Sequence, residues 1–280
     1  MTAPDYGVIP LGEDALRRPS ASRIAHLLIG GHRDAYEADT ALTDQLRAIF
    51  SHLDSAARIG RAYRTLTAQH LAHLGFRQYL DLGCGYPAPD TGHPDIHHLI
   101  HPHHPAATVV YIDGDRIALA HAQAAACGAA GVHHLLADLR HLPDVLHDLT
   151  VSGILDRDVP TAVLAHDVLP YLPDHTAGEV LAALRGWLAP GSVLSISHAT
   201  TDYGLAEVMS KLTSAYEVAG ITYQPRPHAV VSAMFGGWGQ LGSGLVPVAG
   251  WHANHPDRAA PEQVSAAYAG IAIKPARRLP

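Results

Sequence analysis

The sequence predicts an α/β protein in which a mainly parallel, seven-stranded sheet follows a helical N-terminal segment. Two changes of pattern carry this prediction. From about Pro19 to Leu74, apolar residues recur at three- and four-residue steps, as at Leu42, Leu46, Ile49, Phe50 and Leu53, which is the period of a helix. After Gly75 short apolar runs alternate with helical stretches, the signature of strands joined by crossover helices. The division expected is a helical cap over residues 1–75 and a single sheet-based unit over residues 76–280. With 280 residues, 48% hydrophobic and 16% charged, the chain can bury a full core.

Within the cap, Gly30-Gly31 marks a turn between two helices. The first strand is expected at Gln78–Leu82 and the second at Thr108–Asp113, followed by a helix from Ile117 to about Cys127. The third strand falls near Val132–Ala137 and the fourth near Thr161–His166. A helix over about Thr176–Leu188 is closed by Pro190-Gly191, a strong stop. The fifth strand is read at Ser192–Ser197. A helix from Gly204 to Ala219 ends at Gly220. Two further strands are expected around Gly244–Val248 and Tyr268–Ile273.

Composition removes several function classes. A formal charge of -7 argues against a nucleic-acid binder, which needs a basic stripe. Cys84 and Cys127 make no disulfide framework, so a reducing cytoplasm is the simpler expectation. No apolar run approaches the ~20 residues of a membrane span, and Met1–Gly12 lacks the pattern of a signal peptide. Six of the 22 histidines lie between His93 and His104. Their spacing is irregular and no helical H-E-x-x-H accompanies them, so the segment reads as compositional bias and no metal is expected.

Chemistry concentrates at the strand ends. Tyr79-Leu80-Asp81-Leu82-Gly83-Cys84-Gly85 reads as a buried strand that turns on two glycines, where backbone can approach a ligand closely. A carboxylate at Asp81 repels pyrophosphate but attracts a cationic group such as the α-amino group of S-adenosylmethionine. The rival is NAD, because Gly83-x-Gly85-x-x-Ala88 fits a loose dinucleotide fingerprint. Against it, Pro87 and Pro89 disturb the helix start that a pyrophosphate would need. The gap from Gly85 to Asp113 also exceeds the usual ~20 residues. Asp113, closing the second strand before Gly114, is the candidate for a ribose diol, with Asp115 better placed to cap the next helix. Asp138 and Leu139, closing the third strand, are candidates for adenine contacts.

These stretches, in this order, give the chain a resemblance to an actinobacterial S-adenosylmethionine-dependent methyltransferase-like family, many of whose members have no assigned substrate. Beyond the glycine loop through Tyr86-Pro87, the matches include Pro19-Ser20, Leu28-Ile29-Gly30-Gly31, Tyr36-Glu37-Ala38-Asp39 and Val109–Asp113. They continue through Ala118–Ala122, Leu194–Ala199, Gly244–Val248 and Tyr268-Ala269-Gly270. The resemblance covers Pro19 to about Lys274. It implies a class I methyltransferase (Rossmann-like) fold that binds S-adenosylmethionine, with Asp81, Gly83, Gly85, Asp113 and Asp138 on the cofactor and Gly114 beside them. Arg23 and Gly30, on the cap that the resemblance makes distinctive, are candidate cofactor contacts through closure of that cap. The chain departs from the family pattern at Ala25-His26-Leu27, where an aromatic-acid-aromatic run is usual. It also departs at His166–Tyr171, where Pro170 stands in place of a frequent His. Both departures should face the reactive end of the cofactor.

Methyl transfer is an in-line displacement, so a base is needed only for a protonated acceptor. His166 is the leading candidate base or cofactor contact, with structural hydrogen bonding as its plainer reading. Asp167 is a candidate for binding a substrate amine, although strand alternation would turn it away from His166. Tyr171 lies on the same loop. His198 matches a family His, and structural support is its leading reading. His97 matches another and either contacts ligand or fixes its loop. The expected activity is methylation of a small molecule, possible placement being secondary metabolism, with oligomeric state left open. The alternatives are a non-methylating use of the same cofactor, such as cyclisation of its aminocarboxypropyl chain, and a non-catalytic cofactor binder.

Overall fold

A computed structural model describes residues 6–8, 16–88, 91–251 and 261–276. Three helices come first: α1 (Ala21–Leu28), α2 (Glu37–Ile49) and α3 (Leu53–His73). The α/β part follows with β1 (Gln78–Leu82), α4 (Ile96–Ile100), β2 (Thr108–Asp113), α5 (Arg116–Ala125), β3 (Val132–Leu136), α6 (Leu142–Val151) and β4 (Thr161–His166). It continues through α7 (Asp174–Trp187), β5 (Val193–Ala199), α8 (Ala206–Val218), α9 (His228–Met234), β6 (Gly239–Gln240), β7 (Val246–Pro247), α10 (Glu262–Ser265) and β8 (Ala267–Ile273). The sheet runs β3-β2-β1-β4-β5-β8-β6, with β7 paired to β8. Strands β1 to β5 are parallel, and β8 is antiparallel to its neighbours.

The expected strand around Gly244–Val248 is β7, and the expected seven strands become eight by the addition of two-residue β6 on β8. So short a strand carries too little periodicity to be read from sequence. Helices α4, α6, α9 and α10 are likewise additions. Pro143 in the first turn of α6 suits a helix start, where the missing N–H costs nothing.

Side-chain alternation along each strand divides the core in two. Leu80 and Leu82 of β1, with Val110 and Ile112 of β2, pack against α6, α7 and α9. Tyr79, Val109 and Tyr111 pack on the opposite face against Ala68, Leu71 and Ala72 of α3, with Ile96 and Ile100 of α4. Asp81 and Asp113 fall on the face of Tyr79 and Tyr111 by the same two-residue period. Both carboxylates are thereby turned toward the N-terminal helices. Strand order reverses at β1, which lies between β2 and β4, and ligands of open α/β sheets bind outside the carboxyl ends at such a switch point.

The cap is fastened there by polar contacts. Arg23 Nε donates to Asp39 at 2.7 Å, its other nitrogen donates to the Arg18 carbonyl at 2.6 Å, and Asp115 lies 3.7 Å away. Ser20 Oγ donates to Asp115, and His121 of α5 pairs with Asp34 on the α1–α2 loop. Apolar packing completes the join, with Ile24, Leu42, Leu46 and Phe50 against Leu205, Met209 and Leu212. Asp39 is fully buried, so removing its cation strands a charge. The expected result for Arg23→Ala is a loss of about 3–5 kcal/mol in urea unfolding.

Candidate active site

A cavity of about 390 Å³ opens at the carboxyl ends of β1, β2, β3 and β4, beneath α1 and α3. Most of the predicted site residues converge on its wall: Asp81, Gly83, Gly85, Asp113, Gly114, Asp138, Leu139, His166, Asp167 and Tyr171.

The glycine loop earns its glycines by two different means. Gly83 has φ +67°, and a Cβ there would lie 2.6 Å from Val168 Cγ2. Gly83→Ala should therefore cost about 1–3 kcal/mol, partly recovered by adding Val168→Ala, as denaturant midpoints would report. Gly85 has φ +64°, but nothing lies within 4 Å of its added Cβ. Its open side leaves room for a ligand to touch backbone. No helix starts at this loop; the next, α4, begins at Ile96, so the pyrophosphate seat of a dinucleotide site is missing. Pro89 lies outside the described residues.

Asp113 accepts from the Gly85 N–H at 2.7 Å and the Asp115 N–H at 2.8 Å, with Ser22 Oγ of α1 at 3.4 Å. Burial, opposed by those two N–H groups, pushes its carboxyl up to about 6. Asp115 caps α5 by accepting from the Ile117 and Ala118 N–H groups, which leaves Asp113 free of that task. Asp138 is held by Arg140, whose guanidinium reaches it at 2.6 Å.

Asp81 is not the free carboxylate expected. Arg64 of α3 pairs with it directly, and the two side chains are 7% and 2% exposed. Burial works against the Arg64 charge, yet Asp81 together with Tyr111 and Asp95 outweighs it and holds the guanidinium above its ordinary range. Arg64 Nε is buried with no partner. The pair thus offers a carboxylate beside a guanidinium with an unused donor, a match for the two charges of an amino acid. Arg61, one turn earlier, donates to the Tyr86 carbonyl at 3.1 Å; burial and Arg64 lower it to about 10. Sequence reasoning missed both arginines. The available signal was their position on the buried stripe of α3, at spacings of three, four and three from Arg61 through Arg64 and Ala68 to Leu71.

His166 ends β4, and its Nε2 is 2.8 Å from Ser195 Oγ, which also bonds the Tyr63 hydroxyl at 2.8 Å. Its Nδ1 has no partner, while burial and then Arg64 keep the ring far below its usual range and so neutral. The expected opposition of His166 and Asp167 fails, because the strand ends at His166 and Asp167 takes φ +52°. That left-handed turn breaks the alternation and brings both side chains to the cavity. Asp167 is exposed to the space of the open cavity, and desolvation by the surrounding residues pushes its carboxyl up to about 7.

Five expected positions lie off the wall. Arg23 is occupied by Asp39 and Asp115 as described. Gly30, at φ +94°, ends α1, and its neighbour Gly31 makes room for the His26 ring. His198 is fully buried: its Nδ1 meets the Ala199 carbonyl at 2.7 Å and Arg226 donates to its Nε2 at 2.9 Å. It holds the chain around Arg226. Pro170 is buried in the Leu169–Tyr171 turn, whereas Ala25, His26 and Val168 of the departing segments do line the cavity. His97 bonds the Tyr111 hydroxyl at 2.9 Å and fixes its own segment. Its neighbours Asp95 and His98 bring their ligand atoms within 4.8 Å of its own, a grouping that irregular spacing concealed.

A sheet of this strand order, with acidic strand ends around one cavity, is that of a class I methyltransferase. The chain belongs to the S-adenosyl methyltransferase family, whose profile matches residues 14–275, and its cofactor is S-adenosylmethionine. A solved structure from Thermobifida fusca YX, provisionally described as a methyltransferase, is 28% identical with a TM-score of 0.84, covering 92% of this chain and 96% of that one. A DUF574 family protein from Streptomyces avermitilis MA-4680 is 25% identical with a TM-score of 0.86, covering 93% and 99%. An O-methyltransferase family protein from Burkholderia thailandensis, 14% identical with a TM-score of 0.50 over 87% of this chain and 64% of that one, shares the fold alone. No curated protein matches the chain. Among the described residues no helix is long and apolar enough to cross a membrane.

Proposed function

We propose that the protein methylates a small molecule held in this cavity, as a cytoplasmic enzyme of secondary metabolism. The observation that carries the reading is the convergence of Asp81, Asp113, Asp138 and the open side of Gly85 on one cavity. A cavity closed by the cap suits a small acceptor better than a polymer, and the free Cys84 and Cys127 suit a reducing compartment.

The chain's residues fit the cofactor at each end. Arg64 and Asp81 would hold the amino-acid carboxylate and ammonium, Asp113 the ribose hydroxyls, and Asp138 with Leu139 the adenine. S-adenosylmethionine, when bound, supplies an electrophilic methyl group on a sulfonium. Ala25 and His26 of the cap and Val168 of the loop exclude water from the reactive region. His166, neutral and with a free Nδ1, can accept a hydrogen bond from ligand without adding charge.

Incubation with S-adenosylmethionine labelled in the methyl group, in the presence of small-molecule extract, tests the proposal. Label is expected in a new small product. Label in methylthioadenosine would mean cyclisation instead, and cofactor binding without any turnover would mean a binder.

A further inference from the structure

Part of the cavity wall forms an apolar chamber. Its wall is built by Phe50, Leu53, Met209 and Leu212, together with Tyr171, Tyr216 and Tyr223. The three tyrosine rings form a cluster, with centroids 6.0, 5.4 and 4.7 Å apart. The chamber is otherwise apolar, yet it carries one charge.

That charge is Asp167, and its situation differs from every other carboxylate on the cavity wall. Asp81 is paired with Arg64, Asp113 with two backbone N–H groups, and Asp138 with Arg140. Asp167 anchors its own N–H to the Ser197 carbonyl at 3.0 Å, but among the described residues its carboxylate has neither a hydrogen-bond nor an ion-pair partner. Its neighbour His166 is neutral and cannot compensate it. The backbone is held at φ +52°, where non-glycine residues cost energy and tend to mark functional sites. A carboxylate that lacks a partner of its own in a largely apolar chamber is incompletely compensated unless a ligand supplies the counter-charge.

We propose that Asp167 and the tyrosine cluster form an acceptor subsite for a cationic amine carried on an apolar body. The proposal rests on the methyltransferase reading and names its substrate class. The ammonium group donates hydrogen bonds to Asp167, and the aromatic rings add attraction for the cation. Asp167, titrating near neutrality, then takes one proton from the ammonium nitrogen. The N–H bonding pair stays on nitrogen as a free lone pair, the carboxylate becomes a carboxylic acid, and the proton later passes to water. A neutral alcohol would leave the carboxylate uncompensated, and a carboxylate ligand would be repelled.

Calorimetric titrations of phenethylamine, 2-phenylethanol and phenylacetate at pH 8, with and without saturating S-adenosylhomocysteine, test this. The amine should bind about tenfold or more tightly than the alcohol, with no binding of phenylacetate. Asp167→Asn should erase the preference while leaving S-adenosylhomocysteine affinity unchanged. Equal or tighter binding of the alcohol or the acid, a preference that survives in Asp167→Asn, or no amine binding at millimolar concentration would overturn the proposal. Failure of S-adenosylhomocysteine to bind would count against the cofactor reading, and the arm without it would still decide the subsite.

Discussion

Replacing Arg64 with alanine should abolish measurable binding of S-adenosylmethionine and destabilise the fold by about 3–5 kcal/mol. Both effects have one origin. The Arg64 and Asp81 side chains are 7% and 2% exposed, so truncating the arginine leaves Asp81 charged and buried without its partner. The cofactor at the same time loses the cation proposed for its carboxylate. A double variant separates the two consequences. Arg64→Met with Asp81→Leu replaces a buried ion pair by apolar groups, a change often neutral or stabilising. It should unfold at or above the wild-type urea midpoint and still bind no cofactor in calorimetry. Wild-type cofactor affinity in that variant would show that the pair is structural only.

The second large effect is a gain. Asp167→Asn should stabilise the ligand-free protein by about 1–2 kcal/mol above pH 7, the modest size reflecting partial contact with cavity water. The sign follows from proton binding. Burial raises the Asp167 carboxyl from its ordinary value of 3.8 to about 7 in the folded chain, so the folded state holds its proton over a range where the unfolded state has lost it. Wild-type stability therefore falls as pH rises from about 4 to about 7, and the asparagine variant is spared that loss. Below pH 4 the two proteins should melt alike. The groups facing Asp167 are His166, Tyr171, Tyr216 and Tyr223. The histidine is held well below its usual range and the tyrosines are raised by burial, so these terms are common to both proteins. Asparagine also tolerates the left-handed backbone. Thermal melts across pH 4–9 measure the gap; a variant less stable than wild type at pH 8 would contradict it. A stability gain coupled to lost amine binding is the usual sign of a residue retained for function.

Much of this architecture is legible in the sequence. The bounds of β1, β2 and β4 are those expected, because central parallel strands are apolar on both faces and end abruptly at glycine or polar residues. Asp81, Asp113 and Asp138 were readable for the same reason, being carboxylates at the ends of such runs. What was hidden depends on distant parts of the chain meeting. Arg64 lies on a helical stripe whose direction only packing against Tyr79 and Tyr111 decides. Tyr216 and Tyr223 reach the cavity from 45 residues or more beyond Tyr171. Arg23 and His198 were drawn toward the site by position, whereas Asp39 and Arg226 occupy them. Asp167 misled the strand alternation because one residue in a left-handed turn is invisible to a two-residue period.

Calorimetric titration of the wild-type protein and Asp113→Ala with S-adenosylhomocysteine tests the account most directly. The predicted result is one micromolar site per chain, weakened by about 30- to 100-fold in the variant as charge-assisted hydrogen bonds to the ribose are lost. No binding to the wild-type protein, or equal affinity in the variant, would contradict the placement of the cofactor at the ends of β1 and β2.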